Sequence, residues 1–235
     1  MHYMQRLPGM AGAGVPANKN LPSAEWIAGL RRRYQVERHI DLLLTRKLQR
    51  RAGPGFEPVP LARLVQALQA LLRVRIEGAF TIEDARWLSG GASKLQVAFA
   101  LDWDRPGVGR ERTPMVLRME PAESIVETSR LREFQLIKAM EGVVPVPPVF
   151  WCDAEGEYFP YPALVYGFAP GVTKPSEDTN RVSGVGAVVG GELRRKLAPQ
   201  FVDHLARIHN HDFAQGDLSA FDVPAGGGTQ CAAWG

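Results

Sequence analysis

Three short stretches of the chain hold residue types that could bind phosphate, and they occur in a telling order. Leu88-Ser89-Gly90-Gly91-Ala92-Ser93-Lys94 sets two glycines and two serines between apolar runs, Arg118 stands inside a later apolar run, and Glu133 follows in a helical pattern. Gly90 and Gly91 let backbone N–H groups approach a phosphate oxygen with no Cβ in the way. Ser93 adds a hydroxyl donor, and Arg118 places a permanent cation at a fixed point on a strand. Glu133 can pair with Arg118 and hold it in position. Together these groups suit a nucleoside triphosphate. Each also has an ordinary use. A Gly-Gly pair is a common hairpin turn, Arg118 could be a cation on an edge strand, and Glu133 lies in Arg130-Leu131-Arg132-Glu133, where local helix pairing is frequent. It is the order of the three that favours phosphate binding.

These residues need elements to position them. Phe80 and Ile82 alternate with polar residues, and Leu95, Val97, Phe99 and Leu101 alternate on one face. Asp104 to Thr113 reads as a turn-rich connection, and Met115 to Met119 as a third strand ended by Pro121. Successive strands joined by turns predict an antiparallel sheet. Ser124 is placed to cap a helix that carries Val126, Leu131, Phe134, Ile137 and Met140 inward. Val144-Pro145-Val146-Pro147-Pro148 is held extended by its prolines. Two more strands follow, Val149 to Cys152 and Ala163 to Phe168, the second running into Pro170-Gly171. After a Gly/Ser/Val-rich loop over 172–191, Leu193, Leu197, Phe201, Leu205 and Ile208 make the narrow seam of a buried helix.

Upstream, residues 1–22 read as a flexible leader rich in Gly, Ala and Pro. Ser23 can cap a helix in which Trp26, Ile27, Leu30, Tyr34, Ile40, Leu43, Leu44 and Leu48 recur at helical intervals until Gly53-Pro54-Gly55. Pro60 opens a second helix with a stripe of Leu61, Leu64, Val65, Leu68, Leu71 and Leu72. These two helices read as an addition that packs against something larger.

Composition narrows the function class. The chain has 235 residues, 45% hydrophobic and 23% charged, which is globular and neither disordered nor fibrous. No apolar run approaches the roughly 18 residues that a membrane span needs, and the start has no apolar core of a secretory signal. Cys152 and Cys231 cannot make a disulfide framework or an all-cysteine zinc site. A reduced, cytoplasmic setting is expected, with no membrane partner. The net charge of +3 has a local origin: residues 31–51 carry eight Arg and Lys against Glu37 and Asp41, which is +6. Such a run is usually the solvated face of a helix, and with Tyr34 as its one aromatic it is not expected to bind nucleic acid.

His204, His209 and His211 with Asp203, Asp212 and Asp217 invite a metal reading, but His204 and His209 lie five apart and do not stack on one helix face. Capping and surface roles are expected of them. Cys152, after Phe150-Trp151, is expected to be a packed small hydrophobe.

Over about residues 80–224 the chain resembles the aminoglycoside phosphotransferase family. The likeness is carried by Leu88-Ser89-Gly90-Gly91-Ala92-Ser93, Val116-Leu117-Arg118, Arg132-Glu133-Phe134, Val144-Pro145-Val146-Pro147, Phe168-Ala169-Pro170-Gly171 and Leu205-Ala206-Arg207-Ile208-His209. The resemblance implies an α+β fold with a protein-kinase-like small lobe, an antiparallel sheet plus a helix, at residues 79–171. A helical N-terminal extension precedes it at 23–78, and a linker and the start of a helical C-lobe occupy 172–235. It makes residues 89–94 the nucleotide-positioning loop, Arg118 the stand-in for the family's phosphate-binding lysine, and Glu133 its helix partner. Val165 to Phe168, with Tyr166, Gly167 and Phe168, becomes the hinge whose backbone meets an adenine edge. ATP and magnesium are the implied cofactors, and the hydroxyl acceptor is left open.

Two departures concern the small lobe: arginine replaces lysine at 118, and Gly167 stands where the family usually has an acidic residue. A larger one concerns catalysis. The family's His-Gly-Asp motif, followed by an Asn and a further metal-binding Asp, does not occur in the chain. Gln215-Gly216-Asp217-Leu218 comes too soon after Leu205–His209 to replace it and reads as coincidence. The expectation is therefore a phosphotransferase-family chain, truncated before its catalytic loop, whose intact relatives move the γ-phosphoryl group of ATP to a small-molecule hydroxyl. The alternative is a non-catalytic kinase-like fragment or interaction module with at most weak nucleotide binding. The exposed core of a half-made lobe would then favour self-association.

Overall fold

The computed structural model describes residues 20–51, 53, 58–88, 94–121, 128–170 and 191–222. They fall into two compact units, one holding the described residues up to 53 and the other those from 58 to 222.

In the first unit α1 spans Ala24–Arg33 and α2 spans Arg38–Arg51. Ser23 caps α1 as expected, its Oγ accepting from the Trp26 N–H at 3.1 Å. The single helix expected from Trp26 to Leu48 is instead broken at Tyr34–Glu37, where the Glu37 carboxylate accepts from the His39 and Ile40 N–H groups and starts α2. The break lets the two pieces pack on each other, burying Ile27 and Leu43. A continuous helix would leave that stripe without a partner in its own unit. The elbow is fastened by Arg31, which grips Asp41 with Nε and Nη2 at 2.6–3.0 Å.

The second unit is α+β. Helix α3 (Leu61–Arg73) leads into β1 (Phe80–Trp87), β2 (Leu95–Arg105) and β3 (Gly109–Met119), then α4 (Arg130–Met140), β4 (Val149–Asp153), β5 (Ala163–Gly167) and α5 (Gly191–His209). The five strands form one antiparallel sheet in the order β1-β2-β3-β5-β4. The connection expected over Asp104–Thr113 shrinks to Pro106-Gly107-Val108, because Gly107 and Gly109 take φ of 77° and 94° and close the hairpin tightly.

Alternation along the strands divides the sheet into two faces. Val97, Phe99, Leu101, Trp103, Met115, Leu117 and Met119 join Leu64, Leu68, Leu71 and Leu72 of α3 in one apolar core. α3 is thus built into the sheet's core. The even-numbered positions of β2 and β3, from Gln96 and Ala98 to Val116, Arg118 and Glu120, face the other way, toward α4.

Helix α4 differs from its expected form at both levels. Its N-cap is Ser129, whose Oγ accepts from the Arg132 N–H at 3.3 Å, while Ser124 and Val126 lie outside the described residues. Its buried residues are Arg130, Gln135 and Met140, whereas Leu131 and Leu136 are exposed. Met140 is inward as expected, Arg130 is drawn in by Glu120 on the sheet face that the helix meets, and Gln135 is buried against Ser219 and Ala220. Helix α5 also departs from expectation. No residue of it is buried, and Leu197, Phe201 and Leu205 of the expected seam are exposed, because no other described element closes over them.

Candidate functional site: a charged row between the sheet and helix α4

Arg118 enters the site from the C-terminal end of β3, in register between Gln96 of β2 and Leu164 of β5. Glu133 enters from the first turn of α4. As the sequence predicts, the two meet: Arg118 Nη1 donates to Glu133 Oε1, with both side chains partly exposed. The pair is not isolated. The other oxygen of Glu133 accepts from Arg130 Nη2 at 2.7 Å, and the same Nη2 lies 2.8 Å from Glu120 Oε2. Glu120 Oε1 pairs with Lys94 Nζ, and Thr128 Oγ1 donates to Glu120 Oε2 at 2.7 Å.

Lys94 belongs to the expected 89–94 loop, whereas Glu120, Thr128 and Arg130 are absent from the motif-based reading. A signal for them exists in the strand period. Lys94 and Glu120 lie two residues beyond Gln96 and Arg118 on opposed strands, so all four share a face, and Arg130 precedes Glu133 by one helical turn.

Burial gives this row its electrostatics. The Arg130 side chain is 0% exposed and that of Glu120 4%. Desolvation pushes the Arg130 pKa below its ordinary value, against the pull of Glu133 and Glu120. Lys94 is lowered likewise, chiefly by burial, with Glu120 opposing and the positive charges of Arg130 and Arg118 adding to it. Arg118 Nε and Arg130 Nε and Nη1 are buried donors with no hydrogen-bond partner. Among the described residues the row sets Lys94, Arg118 and Arg130 against Glu120 and Glu133.

Of the other expected site residues, Ser89, Gly90, Gly91, Ala92 and Ser93 lie outside the described residues. Tyr166 is half-buried at the Val116 register of β5, and its phenol is pushed up mainly by burial. At Gly167 and Phe168 the backbone is already engaged: the Gly167 N–H donates to the Pro148 carbonyl at 2.8 Å and the Phe168 N–H to the Pro114 carbonyl at 2.9 Å. Packing accounts for the glycine at 167, since a Cβ there would lie 2.9 Å from Pro148 Cγ. Phe168 is exposed at the end of the strand.

Asp217, in the Gln215–Leu218 stretch, accepts from the Ser219 N–H at 3.1 Å, and hydrogen bonding from the Ser219 side chain, then from its backbone, holds the carboxyl below the usual range. The stretch serves to return the chain onto α4. Gln135 exchanges two hydrogen bonds with Ser219 and Ala220 at 2.9 and 3.0 Å, and Arg132 donates to the Ala220 carbonyl at 2.8 Å. His211 packs edge-on against Phe213. Cys152 is partly buried, its thiol pushed up to about 12 by burial. Among the described residues no three His, Cys, Asp or Glu side chains converge as a metal site, and no helix is long and apolar enough to cross a membrane.

No protein-family model and no curated protein matches the chain. Among solved structures, it is similar to a crystal structure from Ralstonia eutropha JMP134, provisionally assigned as an aminoglycoside phosphotransferase. The identity is 20% and the TM-score 0.34, over 46% of this chain and 28% of that one. The matched part thus spans well under a third of that protein, and the functional reading stands on this chain's own residues.

Proposed function

We propose that the chain carries the small lobe of a kinase-like phosphotransferase of the aminoglycoside phosphotransferase type, and that it binds the phosphates of a nucleoside triphosphate at Arg118. The observation that carries this reading is the Arg118–Glu133 pair, a strand cation held by a helix carboxylate at the end of a buried charged row. The unpartnered Arg118 Nε favours a bound anion. Binding rests on the phosphates more than on the base, because the Gly167 and Phe168 N–H donors are already engaged by protein carbonyls.

Magnesium does not fit these residues. Both carboxylates of the row are held by cations, and no other acid joins them among the described residues. The His-Gly-Asp motif with which the family transfers phosphate is not in the sequence. The reading is therefore nucleotide binding without phosphoryl transfer by these 235 residues alone. Thermal unfolding of the full chain tests it. ATP at millimolar concentration raises the melting temperature of the wild type, with or without magnesium, and leaves Arg118→Met unmoved. No shift in the wild type overturns the reading.

A second reading, a non-catalytic interaction module, is favoured by one observation: Leu197, Phe201 and Leu205 of α5 are exposed. Size-exclusion chromatography separates the two. Self-association that disappears in Phe201→Ser supports the module, and a monomer at all concentrations removes it.

A further inference from the structure

A cleft lies between helix α4 and the stretch that returns the chain onto it, and it shares no residue with the charged row. Its volume is ≈ 420 Å³, within the range of about 300–1,000 Å³ that small-molecule sites occupy. One wall is helical. Phe134 and Lys138 stand one turn apart on α4, and Gln135 and Ala139 form the neighbouring row. The other wall holds His211, Gly216 and Asp217.

Both walls are fixed by contacts within the unit. Asp212 accepts from the Ala214 N–H and from Gln215 Nε2, each at 3.1 Å, and so shapes the turn between His211 and Gly216. Gly216 approaches the helix closely, and a Cβ on it would lie 3.5 Å from that of Ala139. Gln135 ties the far end of the stretch to α4 through Ser219 and Ala220. A ligand thus meets a cleft already formed, and little ordering opposes its entry.

The cleft holds one charge of each sign. Lys138 Nζ pairs with Glu141 at 2.8 Å, and Asp217 accepts from the Ser219 N–H, so the two line one cavity without pairing with each other. The Lys138–Glu141 pair joins neighbours on the helix surface, where water screens it, and it holds the ammonium weakly. Phe134 and Ala139 add apolar surface. A molecule that meets all of these groups carries an anion and a cation a few bonds apart, together with an apolar group. We infer that the cleft binds a free α-amino acid with an apolar side chain. Lys138 and His211 take its carboxylate, Asp217 its ammonium, and Phe134 and Ala139 its side chain. This site is separate from the phosphate site at Arg118 and does not depend on it.

Calorimetric titration of the full chain with L-leucine tests the inference. The wild type binds it saturably at millimolar concentration or below. N-acetyl-L-leucine, which lacks the ammonium, and L-leucinol, which lacks the carboxylate, each bind roughly tenfold more weakly or worse. Asp217→Asn and Lys138→Met, both at exposed positions, weaken L-leucine binding by a similar factor. Gly216→Leu abolishes it by filling the cleft, and the extended backbone there, with φ of −110°, accepts a side chain without strain. No saturable heat in the wild type overturns the inference. L-leucinol or N-acetyl-L-leucine binding as tightly as L-leucine also overturns it, since the site would then read one charge alone. So does unchanged binding in Asp217→Asn or Lys138→Met.

Discussion

Helices α3 and α4 lie against opposite faces of one sheet. α3 meets it through Leu64, Leu68, Leu71 and Leu72, each 0–1% exposed, while α4 meets it through Arg130 and Glu133 and turns Leu131 and Leu136 to solvent. Burying one leucine contributes about 1.5–3 kcal/mol and fixes no single partner. Burying Arg130 costs several kcal/mol in desolvation, and the ion pairs roughly return it. The charged face therefore adds little net stability. It defines instead where each atom of Arg118 and Glu133 lies, because every bond in the row has a direction. One face of the sheet holds the lobe together and the other sets out a site.

Breaking the centre of the row tests this contrast most strongly. Arg130→Met leaves Glu120 buried with one cation fewer, and chemical denaturation should show a loss of about 3–5 kcal/mol. On the opposite face Leu72→Ala should lose about 2–5 kcal/mol through its cavity while leaving anion binding unchanged. Gly167→Ala should lose about 1–3 kcal/mol, since its new methyl meets the Pro148 ring and the 2.8 Å bond between the two residues prevents their separation.

Cys152 reports whether the α4 side is dry. Its thiol is pushed up to about 12, above the ordinary value near 8.5. The unfolded chain thus loses this proton first, so the associated stability is present below about pH 8.5 and declines as pH rises toward the folded value. In a Cys231→Ser background, iodoacetamide at pH 8.5 should label Cys152 slowly in the folded protein and quickly in urea. The smallest stability effect is expected at the open end of the row. Arg118→Met should change unfolding free energy by less than about 1 kcal/mol, the partly exposed pair being screened by water, while anion affinity falls at least tenfold.

The apolar face was the more legible of the two. Strand alternation from Leu95 to Leu101 and the leucine stripe of α3 each follow from a single period, and the core has that form. The Arg118–Glu133 contact was legible because a strand cation and a helix acid came in a recognisable order. Glu120 and Arg130, and the meeting of Lys94 with them, were not, since that meeting depends on cross-strand register, which no motif encodes. On α4 the apolar period holds for the buried Met140 and fails at the exposed Leu131, and the charged sheet face selects Arg130. The break at Tyr34–Glu37 leaves the apolar spacing intact, and what ends α1 is the Glu37 carboxylate capping the next helix. The α5 seam shows the limit of periodicity, which predicts a stripe and not the surface that covers it.

The most direct test of the central claim is a calorimetric titration of ATP into the wild-type chain beside its Arg118→Met variant. Saturable heat in the wild type, weakened at least tenfold in the variant and needing no magnesium, is the predicted result. Equal heats in the two proteins, or none up to millimolar ATP in the wild type, would contradict a phosphate site at Arg118.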